Sequence, residues 1–183
     1  LGKGVELGAK VAVMGAGGIG FDVSEYLTHQ GPSLTLNKEL WFKEWGVDIN
    51  NSTSGGLAPM DIEPSPRKVY MLQRKTTSLG RGLNKTSGWV HRANLAKHGV
   101  NMIPGVTYKS ITDDGLLIEI DGKPKLLDVD NVIICAGQES NRDLQQALES
   151  AGVNVHLIGG ANIAAELDAK LAIRQAAELA MVI

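Results

Sequence analysis

Val11-Ala12-Val13-Met14-Gly15-Ala16-Gly17-Gly18-Ile19-Gly20 is the stretch on which the reading of the fold turns. Val11 to Met14 is a short apolar run, the pattern of a strand covered on both faces in a parallel sheet. Gly15, Gly17 and Gly20 then give the spacing G-x-G-x-x-G. Beyond them Ile19, Val23 and Tyr26/Leu27 recur at helical spacing, and Gly31-Pro32 supplies a stop. Gly15 suits a tight strand-to-helix turn, Gly17 a close approach of backbone N–H groups to a pyrophosphate, and Gly20 close helix–strand packing. Gly18 and Ile19 complete the candidate phosphate site, at the positive helix end where unpaired N–H groups point outward. A glycine-rich turn can also be purely structural. The order strand, turn, helix favours dinucleotide binding.

The composition agrees with a soluble globular protein. A chain of 183 residues suits one domain or one and a half, and 43% hydrophobic with 21% charged residues is ordinary for a soluble protein. A net charge of -2 argues against a general nucleic-acid surface. No uncharged apolar stretch reaches membrane-spanning length and no signal-peptide pattern opens the chain, so a cytoplasmic placement is expected. The single cysteine, Cys135, sits in the apolar run Val132 to Ala136 and reads as a buried structural thiol. One cysteine holds neither an intrachain disulfide nor an iron–sulfur cluster. Redox chemistry here needs a borrowed cofactor.

Residues 1–8 read as a glycine-punctuated linker with little to pack, and 9–136 as a nucleotide-binding domain carrying an insertion over 32–66. In that insertion Asn37 caps a short helix holding Leu40, Trp41, Phe42 and Trp45, which Gly46 ends. Asn50 to Pro66 is a loop. The aromatic helix is expected to cover the sheet edge or to dock on a neighbouring domain; stacking on a base is the sharper alternative. Lys68 to Gln73 is the second strand, followed by Arg74-Lys75. Where an acidic residue would bind a free ribose 2′-hydroxyl, this chain has two cations, which suits a 2′-phosphate. A solvated strand end is the alternative. A second glycine-bearing loop, Thr76 to Gly88, leads to a helix with Trp89, Val90, Ala93 and Ala96/Lys97, closed by Gly99. Val100 to Pro104 is the third strand.

Asp113-Asp114-Gly115 and Asp121-Gly122 then mark hairpin turns between Ser110–Thr112, Leu116–Ile120 and Lys125–Val129, an antiparallel meander in place of a crossover helix. It leads to a buried strand, Val132 to Ala136. From residue 137 a helix over Asp143–Ala151, a strand Val155–Ile158 ending at Gly159-Gly160, and a helix over Glu166–Ile183 make too little for an independent domain. That last helix carries Leu167, Leu171, Ala172, Gln175/Ala176 and Leu179 on one side. These pieces look like the closing part of another sheet. The expected class is α/β: a Rossmann-like three-layer dinucleotide-binding domain with an antiparallel β-meander, plus the C-terminal half of an FAD-binding domain.

Several stretches are more selective than the glycine motif. They are Gly15–Asp22, Glu44-Trp45-Gly46, Leu72-Gln73-Arg74-Lys75, Lys85–Arg92, Ile134–Glu139, Val155–Gly160 and Glu166–Ala169. Through them the whole chain resembles the C-terminal part of the bacterial NADPH-dependent 2,4-dienoyl-CoA reductases, in the trimethylamine dehydrogenase-like family of multidomain flavoenzymes. The resemblance implies an oxidoreductase of fatty-acid β-oxidation, with electrons passing from NADPH to FAD, a 4Fe-4S cluster, FMN and the dienoyl-CoA. FMN and the proton donors are expected in an N-terminal barrel outside this chain; the cluster that follows the barrel, and the first half of the FAD site, are expected outside it too. The partners are thus the barrel and FAD half-domain of the same polypeptide. Alone, the chain is expected to be inactive.

The resemblance also implies that Ala136 and Gly137 contact cofactor, and that Gly159, Gly160 and Ala161 lie along the flavin's ribityl–phosphate. Gly160 stands where many relatives carry Asp, so those contacts run through backbone N–H groups and the helix near Glu166–Asp168. Ser140 stands where relatives carry Pro. Two rivals stay open: the same module in an amine dehydrogenase or another enoate reductase, and a non-catalytic nucleotide-binding module.

The remaining polar residues suggest no second centre. His91 and Arg92 suit a solvated helix face as well as a phosphate. His156 reads as a hydrogen-bonded core histidine, and Glu44, Asp48, Asp61 and Glu63 as surface charges with no metal spacing. No Ser-His-Asp or Cys-His arrangement is suggested. No catalytic or metal-binding residue is assigned.

Overall fold

The computed structural model describes residues 4–164 and 169–183, and divides the chain into two compact units, Leu1–Ala136 and Gly137–Ile183.

In the first unit a four-stranded parallel sheet runs in the order β3-β2-β1-β7, from β1 (Lys10–Met14), β2 (Lys68–Leu72), β3 (Asn101–Ile103) and β7 (Asn131–Ile134). Val11 and Val13 point into a core shared with Phe21, Leu27, Met71 and Leu95. Ala12, between them, points into the opposite core with Leu72, Val106, Leu116, Ile118 and Leu127. Alternation along one strand thus explains the unbroken apolar run: helices cover one face and the meander the other. The meander is β4 (Val106–Thr112), β5 (Gly115–Ile120) and β6 (Lys123–Leu127), with a bulge between Tyr108 and Ser110. Asp121 and Gly122 both take positive φ, 51° and 75°, as the tight hairpin turn between β5 and β6 requires.

The helices form where periodicity places them, but turn different faces inward. α1 (Gly18–Thr28) buries Gly20, Phe21, Ser24 and Leu27, while Ile19 and Tyr26 are exposed. The contact of Gly20 with the β1 turn sets the helix's rotation, so positions four and seven residues on follow it inward. α3 (Gly88–Lys97) likewise buries Gly88, Asn94 and Leu95 and leaves Trp89, Ala93 and Ala96 outside. Gly88 lies tight on the preceding loop: a Cβ there would stand 2.8 Å from Leu83 Cβ.

Other expectations need correcting. β7 is an edge strand, so it is only partly covered, and Cys135 beyond it is half-buried rather than enclosed. Burial still pushes its thiol pKa up, which keeps it protonated at neutral pH. The lead-in is not idle: Leu7 packs against the helix-side core, and the Gly8 N–H donates to Asn131 Oδ1 at 2.8 Å.

The second unit contains α4 (Gln145–Ser150), α5 (Gly159–Asn162) and α6 (Ala169–Ala180). Val155 to Ile158 forms no strand, because no described segment of the unit pairs with it; Gly159 and Gly160 begin α5 instead of closing a strand. Ala172, Gln175, Ala176 and Leu179 are the less exposed side of α6, and Leu171 is exposed. His156 is exposed, not a core histidine. Glu166, Leu167 and Asp168 lie outside the described residues. No helix among the described residues is long and apolar enough to cross a membrane.

Candidate functional site

β1 and β2 end side by side, Met14 opposite Leu72, and both residue groups picked out from the sequence leave the sheet there. Gly15 turns out of β1 with φ 115°, and a Cβ on it would stand 2.5 Å from the Cys135 carbonyl oxygen and 3.1 Å from the Ala136 nitrogen. A Cβ on Gly20 would stand 2.0 Å from the Gly15 carbonyl oxygen. Nothing lies within 4 Å of the corresponding positions on Gly17 and Gly18. The turn therefore divides its glycines: Gly15 and Gly20 are required by packing, and Gly17 and Gly18 face open space.

α1 starts there with no side-chain cap on its N-terminus and no acid in its first turn. Its first N–H groups lack intrahelical acceptors, and the helix dipole adds positive potential. An anion is the complementary ligand. Gly17, Gly18 and Ile19 are all exposed at this end.

The cationic turn is joined to the same edge. The Leu72 carbonyl oxygen accepts from the Gly15 N–H at 2.9 Å and from the Tyr108 hydroxyl at 3.2 Å. Burial pushes the Tyr108 phenol pKa up while the Arg74 guanidinium opposes that rise, so Arg74 lies within electrostatic reach of the hydroxyl. Arg74 and Lys75 are exposed. The turn beneath them is fastened: Gln73 N–H donates to the Ile103 carbonyl at 3.1 Å, Val106 N–H to the Gln73 carbonyl at 3.0 Å, and Gly105 N–H to the Lys75 carbonyl at 3.0 Å. Sequence reasoning singled out neither Gln73 nor Tyr108 as a site residue. The signal for Gln73 is its position at the β2 end; that for Tyr108 is absent, because β4 reaches β2 only through the tertiary fold.

Other candidates take structural roles. Arg92 Nη1 donates to the Gly80 carbonyl at 3.1 Å, and His91 Nδ1 lies 3.7 Å from Glu25 Oε2. In the insertion, α2 (Lys38–Trp45) is capped as expected, the Asn37 side chain accepting from Glu39 and Leu40 N–H and Gly46 closing it at φ 64°. Glu44 is not a surface charge: it is 4% exposed, pairs with Lys97 Nζ, and lies 3.9 Å from His98 Nε2. Lys97 Nζ also sits 3.8 Å from the Trp45 ring centroid. The aromatic helix is thus fastened to the C-terminal end of α3. Asp48 organises the loop after α2, accepting from Asn50, Ser52 and Thr53, which holds its carboxyl down to about 2.

In the second unit a concavity of about 460 Å³ is lined by Gln145, His156, Asn162, Gln175 and Glu178 among others. Gly159 is buried and its N–H donates to Gln175 Oε1 at 2.7 Å, Ala161 is half-buried, and Gly160 is exposed. Arg142 donates to the Ala161 and Asn162 carbonyls. Of the three, only Gly160 is exposed, and the Gly159 N–H is already donated to a protein acceptor. Gly137 begins the unit with φ 85° and open space around it. No group of three or more His, Cys, Asp or Glu suited to a metal occurs among the described residues.

The family model for pyridine nucleotide-disulphide oxidoreductases matches residues 3–175. The chain belongs to that family. It is accordingly a flavin- and NAD(P)-dependent oxidoreductase module of α/β fold. A metal reductase of Desulforamulus reducens is 27% identical over 154 residues, covering 84% of this chain and 22% of that protein. A mercuric reductase of Staphylococcus aureus is 34% identical over 64 residues, 33% of this chain and 12% of that one. Two solved structures share the fold: a 2-naphthoyl-CoA reductase complex (22% identity, TM-score 0.66, 98% of this chain and 22% of that one) and histamine dehydrogenase from Rhizobium sp. 4-9 (16%, 0.62, 95% and 23%). The chain thus spans about a fifth of the length of the relatives it matches most fully. The nucleotide that this oxidoreductase family uses fits the first unit: open space over Gly17 and Gly18, an uncapped α1 and two cations share one edge.

Proposed function

We propose that the chain is the NADPH-binding, electron-input part of a longer 2,4-dienoyl-CoA reductase. Residues 9–136 are the nucleotide domain and 137–183 the second half of the FAD domain. The observation that carries the nucleotide reading is that the Arg74-Lys75 turn and the bare N-terminus of α1 follow adjacent strand ends, the glycine turn bonded to the Leu72 carbonyl and the cationic turn to Ile103 and Gly105. The first-turn N–H groups over Gly17, Gly18 and Ile19 would hold the pyrophosphate, and Arg74 and Lys75 the 2′-phosphate. Ala136 lines the turn from the neighbouring strand, and Gly137, Gly159, Gly160 and Ala161 are the flavin-side candidates. NADPH supplies a hydride; the chain's residues bind and orient it.

The extent of the relatives supports a longer polypeptide; in this reading it is cytoplasmic, and a barrel, FMN and an iron–sulfur cluster lie outside these residues. The shared fold with a reductase of a CoA thioester supports the acyl-CoA reading. The shared fold with histamine dehydrogenase supports an amine dehydrogenase as the second reading.

The test is titration of wild type and Arg74→Ala with NADPH and NADH at two salt concentrations. Charge-assisted hydrogen bonds of about 1.5–3 kcal/mol put the NADPH loss at roughly tenfold to a hundredfold, with NADH unchanged. Arg74→Asp should go further, and Lys75→Ala should cost less and fade with salt. Equal losses for both nucleotides would refute 2′-phosphate recognition.

A further inference from the structure

We infer that Gln73 is a positioning residue for nucleotide selection: its carboxamide clamps the turn that presents Arg74 and Lys75. This rests on the reading of that turn as the 2′-phosphate site.

Gln73 occupies the end of β2, where an acidic residue would reach the ribose. Its side chain is turned instead onto its own chain. Nε2 donates to the Lys75 carbonyl oxygen at 2.9 Å and also to that of Thr77. A carboxamide nitrogen carries two N–H donors, and here each has a carbonyl acceptor. The nitrogen, not the oxygen, must face the turn, because both partners are acceptors. A carboxylate has no donor and would set lone pairs against two carbonyl oxygens. An acidic residue at 73 would therefore do two things at once, offering a ribose acceptor and releasing the cationic turn.

The surroundings make the clamp specific to that turn. The Lys75 carbonyl also accepts from the Gly105 N–H at 3.0 Å, so it is held from the β3–β4 connection as well as from Gln73. The Thr77 carbonyl is bonded by Gln73, four residues away in sequence. Through these bonds one half-buried side chain fixes the backbone on both sides of Thr76. The glycine turn is held separately, by the Gly15 N–H on the Leu72 carbonyl. Loss of the clamp should thus affect the 2′-phosphate and spare the pyrophosphate. A guanidinium that must meet a phosphate in a bidentate geometry is sensitive to such loosening, because its geometry is directional.

The experiment compares wild type, Gln73→Leu, Gln73→Glu, Arg74→Ala and Arg74→Ala/Gln73→Leu on the 183-residue chain. NADPH and NADH affinities are measured by calorimetry, with thermal melts to verify folding. Gln73→Leu should weaken NADPH by about threefold to tenfold, a part of the Arg74 effect, and leave NADH within about twofold. Gln73→Glu should lose at least as much, and serves if the leucine variant does not fold. In the Arg74→Ala background Gln73→Leu should cost clearly less than in wild type, only the part that the clamp carries through Lys75. Parallel losses of NADPH and NADH, or full additivity with Arg74→Ala, would show a general structural role and overturn the inference. If Arg74→Ala lowers NADPH affinity selectively and neither Gln73 variant does, the clamp alone is wrong. If wild type shows no NADPH preference, the 2′-phosphate site is wrong and the clamp falls with it.

Discussion

Gly17 and Gly20 stand three residues apart in one turn, yet their substitution should damage different properties. At Gly20 an alanine Cβ would lie 2.0 Å from the Gly15 carbonyl oxygen and 2.9 Å from its carbon. Both atoms are backbone, so α1 and the β1 turn must separate by at least about 1 Å before any ordinary contact distance is reached. Overpacking of that kind costs roughly 1–3 kcal/mol, which lowers Tm by about 3–10 °C in a domain of this size. At Gly17 the backbone is extended, φ -82° and ψ -175°, and nothing lies within 4 Å of a Cβ. Gly17→Val is sterically allowed in the protein alone and loses only the modest N-cap preference for glycine, about 1 kcal/mol or less. Its isopropyl group would stand over the first-turn N–H groups. Excluding a pyrophosphate from two charge-assisted bonds of about 1.5–3 kcal/mol each predicts at least a hundredfold loss of NADPH affinity. Differential scanning calorimetry and titration calorimetry on both variants read the two effects separately. A folded Gly17→Val chain that binds NADPH as tightly as wild type would show the turn to be architecture alone. A Gly20→Ala chain that melts like wild type would refute the close helix–strand approach.

Two further outcomes concern the insertion. Lys97→Met leaves the buried Glu44 carboxylate, one oxygen of which already lacks a partner, without its cation, so denaturant unfolding should register a loss of about 3–5 kcal/mol. Glu44→Leu/Lys97→Met should recover most of it, and a loss below about 1 kcal/mol in the single variant would mean that water reaches the pair. Asp48 has a folded pKa of about 2, below its ordinary 3.8, so its contribution to loop order is present above about pH 4 and lost as pH falls through 2. Amide shifts of Ser52 and Thr53 should follow that titration and should be missing at neutral pH in Asp48→Ala; unmoved shifts between pH 4 and 2 would contradict it.

The sheet and its helices were legible because their signals are local. Val11 to Met14 alternates between two cores, Asn37 and Gly46 supply both ends of α2, and Asp121-Gly122 supplies a turn that needs two positive φ angles. Which side of a helix turns inward was less legible. Small residues decided it: Gly20 and Gly88 allow contacts that the larger Ile19 and Trp89 do not make, so apolar periodicity placed Val23 and Leu27 on the core but failed for Ile19, Tyr26 and Trp89. The segment Val155–Ile158 has a strand's composition and no ladder, since a strand exists only against a neighbour.

The sequence by itself determined the order of strand, glycine turn and helix, the antiparallel meander and the two cations after β2. Each depends on residues a few positions apart, where backbone sterics and periodicity act. Only the tertiary structure decided that the Tyr108 hydroxyl and the Gly15 N–H share the Leu72 carbonyl, that Gly105 secures the Lys75 turn, and that Glu44 is buried against Lys97. Those pairings join groups between 30 and 57 positions apart, Gly105–Lys75 at one end and Gly15–Leu72 at the other. No local propensity encodes such contacts, because they exist only once burial of two separate cores has brought the strands together.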